Sequence, residues 1–260
     1  MKVFFVGDIV GNPGRDVFMR LIPGMKASGE ADVVVANAEN AAGGSGLTQK
    51  IAEELFSCGC DVITLGDHVW DKKDFLPFLA AHPKILRPAN YYQLAPGKGF
   101  CLIELSGGIK LGVIVLTGRT FMKYTADCPF AALDRGIEAL NAHTALIVVD
   151  MHAEATSEKV AMGWYADGRV SAVLGTHTHI QTADERILPK GTAYITDAGM
   201  TGPYDSVIGQ VKEIIIERYV TGLPNKFQVA DSVATLCGVI VDVDEVTGKA
   251  RSIVRIQRKF

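Results

Sequence analysis

At 260 residues, with 48% hydrophobic and 21% charged side chains, the chain is long enough to bury a substantial core and too apolar to be disordered. A formal net charge of -3 excludes a basic footprint for bulk nucleic acid, yet leaves room for a small phosphorylated ligand in a locally cationic cleft. No apolar run approaches the roughly 20 residues of a membrane span, and Met1-Lys2 leads straight into an apolar run without a signal peptide, so a soluble, cytoplasmic protein is expected.

The first predicted strand covers residues 3–6 and the second 33–36. Residues 51–56 then read as helix, with Ile51, Ala52, Leu55 and Phe56 on one face. A strand over 62–65 comes next, and after it a hairpin over 100–116 that turns at Gly107-Gly108. Further strands are predicted at 145–149, 171–174 and 193–196, a helix over 207–219, and a last hairpin over 233–258 turning at 245–249. The Val, Ile and Leu runs are continuous rather than alternating, which suits strands buried on both faces. Strand–helix units mixed with antiparallel hairpins imply an α/β protein with two sheets, or one large mixed sheet, covered by helices. No repeat, low-complexity tract or linker interrupts the chain, so residues 1–260 are expected to form a single domain. The late hairpins argue against a (β/α)8 barrel.

The five cysteines, Cys58, Cys60, Cys101, Cys128 and Cys237, are scattered without a C-x-x-C pair and read as reduced packing residues.

The polar residues at the end of each apolar run carry more information than the runs themselves. Gly7-Asp8 stands after the first, Asn37-Ala38-Glu39-Asn40 after the second, Gly66-Asp67-His68 after the third, Asp150-Met151-His152 after the fourth and Gly175-Thr176-His177-Thr178-His179 after the fifth. Four of the six histidines occupy these ends. Ligands bind α/β sheets at the carboxyl ends of the strands, which puts Asp8, Glu39, Asn40, Asp67, His68, His152, His177 and His179 on one rim. Mixed imidazole, carboxylate and amide donors suit iron, manganese or zinc better than calcium, and the absence of cysteine speaks against a structural zinc knot. Eight candidates exceed one tetrahedral shell, so a two-metal site with a bridging carboxylate is expected.

Blander readings exist for each residue alone. A single His152 more often packs or caps than ligates, and Asp8 after a strand can begin a helix as its N-cap. His177 and His179, two apart, would share a face of an extended chain. Coincidence at five matched strand ends is what the bland readings cannot explain. His82 and His143 lie outside the pattern and read as surface residues, and Trp70 as packing beneath the site. The stretch from Gly7 to Gly14 has the spacing G-x-x-x-G-x-x-G, not that of a dinucleotide fingerprint, and no Walker lysine is present. The loop Ala42-Gly43-Gly44-Ser45-Gly46 could turn its amides to a phosphate or simply close over a helix start.

The ordered blocks GDIVG, NAEN, GDHVW, DMHAE and GTHTH, with RPANY at 87–91, HAEATSEKVAMGW at 152–164 and TDAGMTGP at 196–203, resemble the calcineurin-like metallophosphoesterases, and within them the YmdB-like bacterial phosphodiesterases. The resemblance spans nearly the whole chain. It implies the calcineurin-like fold, two mixed β-sheets packed together and flanked by α-helices, with two divalent metal ions at the strand ends, often iron, with manganese and zinc as alternatives. Asp8, Glu39, Asn40 and His179 would hold one metal; Glu39, Asp67, His152 and His177 the other, Glu39 bridging. His68 would protonate the leaving group. Two departures from the broad superfamily, Val10 in place of a histidine and Glu39-Asn40 in place of GD-x-x-D, are typical of the YmdB-like branch. A third is not: the expected block is GNH, and this chain has Gly66-Asp67-His68.

The implied reaction is hydrolysis of small phosphodiesters, 2′,3′-cyclic nucleotides among them, by a metal-bridging hydroxide with His68 as proton donor. A phosphomonoesterase on the same site, or a nucleotide- or phosphate-sensing protein that keeps the metals, is the alternative. Arg119 and Lys159 are candidate contacts to the substrate phosphate, and Trp164 and Tyr165 either stack on a base or pack in a lid. No membrane partner is expected, and a homo-oligomer is left open.

Overall fold

The computed structural model describes residues 1–259. In chain order the strands are β1 (Lys2–Val6), β2 (Asp8–Ile9), β3 (Val33–Asn37), β4 (Val62–Thr64), β5 (Ile85–Leu86), β6 (Phe100–Glu104), β7 (Lys110–Thr117), β8 (Ile147–His152), β9 (Ala172–Thr176), β10 (Arg186–Ile187), β11 (Ala193–Ile195), β12 (Met200–Pro203), β13 (Ala234–Val243) and β14 (Ala250–Lys259). The helices are α1 (Gly11–Ala27), α2 (Gln49–Ser57), α3 (Leu76–Ala81), α4 (Pro129–Asn141), α5 (Thr156–Ala166) and α6 (Lys212–Thr221).

One eight-stranded sheet runs β2-β12-β13-β1-β3-β4-β5, with β14 added on β13. A six-stranded sheet runs β10-β11-β9-β8-β7-β6. In the first, β1, β3, β4 and β5 are parallel and β13 lies antiparallel to β1. In the second, β7, β8, β9 and β11 are parallel, and β6 pairs antiparallel with β7 through the Gly107-Gly108 turn. Both expected hairpins form, and the α/β class with two mixed sheets and flanking helices is the observed fold.

Alternation along the strands explains the four layers. Val3 and Phe5 of β1, with Val33 and Val35 of β3, face Val113, Val148, Leu174 and Ile195 of the other sheet. Phe4 and Val6 point the opposite way, onto Phe18, Ile22 and Leu55 of α1 and α2. Ile114, Val149 and Val173 likewise pack outward on Leu133, Leu140 and Met162 of α4 and α5. Both faces of the central strands are therefore covered, which is why β1, β3, β4, β7, β8 and β9 read as unbroken apolar runs, whereas the edge strands β6, β10 and β14 keep exposed positions.

Three expectations change. The helix predicted over 207–219 begins only at Lys212, because Val207 and Gln210 bond to one another across a turn. His82 is not free at the surface; its ring stacks on Phe56 at 4.8 Å and tilts against Phe78 at 5.2 Å. Cys128 is exposed rather than packed, while Cys60, Cys101 and Cys237 are buried and unpaired. Among the described residues, no helix is long and apolar enough to cross a membrane.

Candidate metal centre

All the strand-end residues singled out from the sequence converge where the parallel strands of the two sheets end. The first sheet supplies Asp8 after β1, Glu39 and Asn40 after β3, and Asp67 and His68 after β4; the second supplies His152 at the end of β8 and His177 and His179 after β9. Glu39, Asp67, His152 and His177 each offer one ligand atom, and these atoms all lie within 4.8 Å of one another. His152 Nε2 is 3.1 Å from Asp67 Oδ1 and 3.3 Å from Glu39 Oε1, and His177 Nδ1 is 3.4 Å from Asp67 Oδ1. A second group adjoins the first: Asn40 Nδ2 is 3.1 Å from His179 Nε2, which is 3.9 Å from Asp8 Oδ1. That Asp8 oxygen is buried without a hydrogen-bond partner in the protein. An orphaned carboxylate oxygen facing imidazole and amide donors is the arrangement a divalent cation completes.

Packing at the centre is tight enough to dictate glycine at position 66, where a Cβ would stand 2.2 Å from His152 Nε2 and 2.4 Å from Glu39 Oε2. His177 and His179 have φ of 97° and 65°, so they do not share a face of an extended chain as expected. Left-handed backbone at both sends the two rings to different partners, and such strain persists only where the surroundings enforce it. Part of that enforcement is the His177 N–H, which donates to Asp8 Oδ2 at 3.1 Å. The rest comes from Asp197, whose Oδ2 accepts from Thr178 N at 3.1 Å and Thr178 Oγ1 at 2.6 Å.

The electrostatics reflect three carboxylates and a histidine buried together. Burial and the charges of Asp197 and Glu39 push Asp8 up to about 7, against the pull of His152 and the His177 N–H. Burial would raise Glu39 and Asp67 as well, but charge and hydrogen bonds from neighbouring histidines, His152 foremost, hold both below the usual carboxylate range. For His152, burial is outweighed by Glu39, Asp67 and Asp8, which raise its pKa well above the ordinary imidazole value. His68 is raised too: burial opposes protonation, and the Glu39 hydrogen bond with the charges of Glu39, Asp67 and Asp71 overcomes it.

Behind the centre lies a row of groups that the strand-end pattern did not single out. His152 Nδ1 is 2.9 Å from Thr176 Oγ1, which donates to Asp150 Oδ1 at 2.6 Å. Asp150 Oδ2 accepts from Thr64 Oγ1 at 2.6 Å and Asn37 Nδ2 at 3.1 Å. This buried chain fixes the imidazole's orientation and leaves Nε2 to the centre. Its sequence signal was a carboxylate two residues before His152, on the same face of a buried strand. In front, a cleft of about 480 Å³ opens over His68, walled by Gly43, Gly44, Glu154, Gln210 and Phe227. Glu154 Oε2 lies 3.1 Å from His177 Nε2, so that histidine turns Nδ1 inward. Phe227 carries no motif, and only the fold brings it here; Glu154 closes the DMHAE block but was not singled out as a site residue.

Other candidates fall elsewhere. Lys159, expected at a substrate phosphate, is fully buried in α5 with its Nζ 2.8 Å from Asp197 Oδ2, because an ammonium taken out of water needs a carboxylate partner. Arg119 is exposed on the loop after β7, its backbone N–H bonded to Glu158, outside the cleft lining. Trp164 meets Arg186, and Tyr165 meets Asp134 and Phe130, also away from the cleft. Trp70 packs on Tyr91 at 5.9 Å, as expected of a residue beneath the site. A larger hollow of about 600 Å³ between Arg87 and His143 shares no residue with the cleft, and Arg87 donates there to the carbonyls of Pro88, Tyr92 and Ala95.

Comparison with known proteins points one way. A 2′,3′-cyclic-nucleotide 2′-phosphodiesterase of Bacillus subtilis is 51% identical over 98% of this chain and 96% of its own length. A putative phosphatase/phosphodiesterase of Mycoplasma genitalium is 38% identical over 99% of this chain and 92% of its own length. Among solved structures, a hypothetical protein from Thermus thermophilus superposes with a TM-score of 0.93 at 40% identity, covering 100% of this chain and 99% of that one. A novel phosphatase of Mycoplasma pneumoniae does so with a TM-score of 0.93 at 36% identity, covering 100% and 93%. A family model described as YmdB-like protein matches residues 4–256, so with these relatives matched end to end the chain belongs to the YmdB-like family.

Proposed function

We propose that the chain is a metal-dependent phosphodiesterase that opens 2′,3′-cyclic nucleotides at the 2′ ester, leaving the 3′-phosphate. The observation that carries this reading is the junction of two things. Glu39, Asp67, His152 and His177 offer donors within 4.8 Å of one another, and a partly exposed His68 stands over them in an open cleft. Asp8, Glu39, Asn40 and His179 would hold one cation and Glu39, Asp67, His152 and His177 the other. The B. subtilis relative's name supplies the substrate class.

A pair of divalent cations, when bound, supplies a water acidic enough to ionise near neutral pH and neutralises charge on the phosphoryl oxygens. The chain's own part is proton delivery and orientation. The His68 backbone N–H donates to Glu39 Oε2 at 3.1 Å, and the ring Nδ1 lies 2.7 Å from Asn40 Oδ1. With Nδ1–H engaged by Asn40, the Nε2 proton is free to pass to the departing 2′-oxygen. The Glu39 hydrogen bond and the charges of Glu39, Asp67 and Asp71 favour that proton on His68.

Metal analysis and hydrolysis of bis(p-nitrophenyl) phosphate test the reading. About two metals per chain and turnover abolished by chelation are expected, and H68A should lower kcat by about 10²- to 10⁴-fold. Metal-replete protein inert towards a broad diester panel would sink it. The names of the Mycoplasma relatives favour a second reading, phosphatase action on monoesters, which a comparison of monoester and diester rates separates.

A further inference from the structure

The segment between α6 and β13 has no regular structure, yet its middle is pinned. Val211 N–H donates to the Gln228 carbonyl at 2.8 Å, and Ala230 N–H to the Gly209 carbonyl at 2.9 Å. Val229 packs so closely that a Cβ on Gly11 or Gly44 would meet it at 2.7 or 2.8 Å. These contacts hold Phe227 where it lines both the metal cleft and the adjoining hollow beside Asn12. Half of the side chain stays exposed, and the Arg218 guanidinium stands over the ring at 4.9 Å. A ring fixed at the mouth of a polar cleft, with apolar surface left in water, is a stacking platform waiting for a planar partner.

A second feature of the same cleft points to the same kind of partner. Gln210 is half-buried and lines the cleft, and among the described residues its carboxamide makes no hydrogen bond. Its Nε2 lies beside Gly44, where a Cβ would approach it to 3.3 Å. Gly44 has φ of 93°, so this floor both requires glycine and stays open because of it. A carboxamide offers one acceptor and two donors, which can match the hydrogen-bonding edge of any nucleobase.

We propose that Phe227 and Gln210 form a nucleobase subsite beside the metal centre. The base stacks on Phe227, its edge bonds to the Gln210 carboxamide, and the Gly43-Gly44 floor gives the sugar clearance to bring its phosphate to the metal ligands. This rests on the reading of the centre as a cyclic-nucleotide phosphodiesterase. Because every base has a π-face, the subsite distinguishes substrates with a base from those without one more than it distinguishes bases from each other.

The experiment uses the metal-loaded full chain with two substrates sharing one reacting ring, adenosine 2′,3′-cyclic phosphate and methyl ribofuranoside 2,3-cyclic phosphate. F227A should raise KM for the nucleotide about tenfold, leave the base-free substrate within about twofold, and be rescued by F227W. Calorimetry with adenosine 3′-monophosphate reads the subsite without turnover. Its affinity should fall about tenfold in F227A, while that of inorganic phosphate is retained. Equal losses on both substrates, or undiminished binding of the monophosphate, would overturn the subsite. If the unsubstituted protein hydrolyses no cyclic nucleotide but still binds the monophosphate through Phe227, the subsite stands and the substrate assignment falls.

Discussion

Asp67 places a negative charge where the resemblance to the metallophosphoesterases implies a neutral amide. Its carboxylate lies 3.1 Å from His152 Nε2 and 3.4 Å from His177 Nδ1, and its charge contributes to the raised pKa of His68. A charged ligand binds a cation more strongly than a carbonyl oxygen does, but it also quenches the cation's power to acidify water. D67N should therefore keep the metals and raise turnover at pH 7, with elemental analysis and a pH profile as the measurements. It should also bring the alkaline limb governed by His68 to lower pH, since one of the charges raising that group is gone. Loss of metal in D67N would show instead that the carboxylate is indispensable. At this scale the sequence was informative wherever a candidate donor stood at the end of an apolar run, since those residues come together in space. It was silent on Phe227 and Gln210, which reach the cleft from segments with no motif, it passed over Glu154 within the DMHAE block, and it misread Lys159, whose charge is spent on Asp197.

At the scale of elements, the loop after β9 shows how contacts behind the ligands serve the ligands themselves. The Lys159 ammonium, delivered by α5, pairs with Asp197, and Asp197 in turn holds Thr178 between the two strained histidines. K159M would leave the Asp197 charge buried and unpaired. The expected cost is about 3–5 kcal/mol of stability by denaturant titration, because removing one partner of a buried pair strands the other. Metal content should fall with it, through loss of the loop geometry. Full metal content in K159M would show that the His177 and His179 backbone is enforced by other contacts, such as the Asp8 hydrogen bond. The helix expected over 207–219 is instructive in the same way. Its first residues form a turn whose Ile208 carbonyl lies 3.0 Å from His179 Nδ1, so a local helical pattern gives way where backbone is needed to orient a ligand.

At the scale of the whole molecule, the centre joins two sheets. Asp8, Glu39, Asn40 and Asp67 come from one and His152, His177 and His179 from the other, above the shared core of Val3, Phe5, Val148 and Leu174. On the proposed reading, metal should accordingly raise the Tm of the protein, and chelation lower it, since cations held by donors from both sheets would bind only when the two are docked. Four groups at the centre contribute to the pH dependence of the metal-free protein, with His68 acting in the same sense as His152, and His179, lowered by burial, in the opposite sense below about pH 6.5. The pKa values of Asp8 and His152 are raised in the folded state, so both hold protons there that the unfolded chain gives up. Stability from His152 is present below about pH 6.5 and lost as pH rises through its folded value, and Asp8 adds a loss between about 4 and 7. Glu39 and Asp67 are depressed, so their contribution is present above about pH 4.5 and lost as pH falls through their folded values. Above about pH 6.5, where His179 no longer contributes and the raised His152 and His68 lose their stabilisation, metal-free Tm should thus decline towards pH 8. Metal uptake should release protons, and its stabilisation should grow over the same range. A Tm of the metal-free protein that rises from about pH 6.5 to 8 would contradict this electrostatic balance at the centre.

The sequence by itself determined the layering and the rim. Strands buried on both faces must be apolar throughout, so their ends are marked wherever polar residues begin, and a set of metal donors at five such ends is legible without coordinates. Tertiary structure alone decided which donors share an atom's neighbourhood, how His177 and His179 turn, and what stands across the cleft. Those features depend on how the two sheets dock and on loops whose conformation is set by distant contacts, such as Lys159 with Asp197 or Val229 with Gly44. Periodicity records whether a side chain is buried, but not against what; that choice is made only when the sheets close on one another.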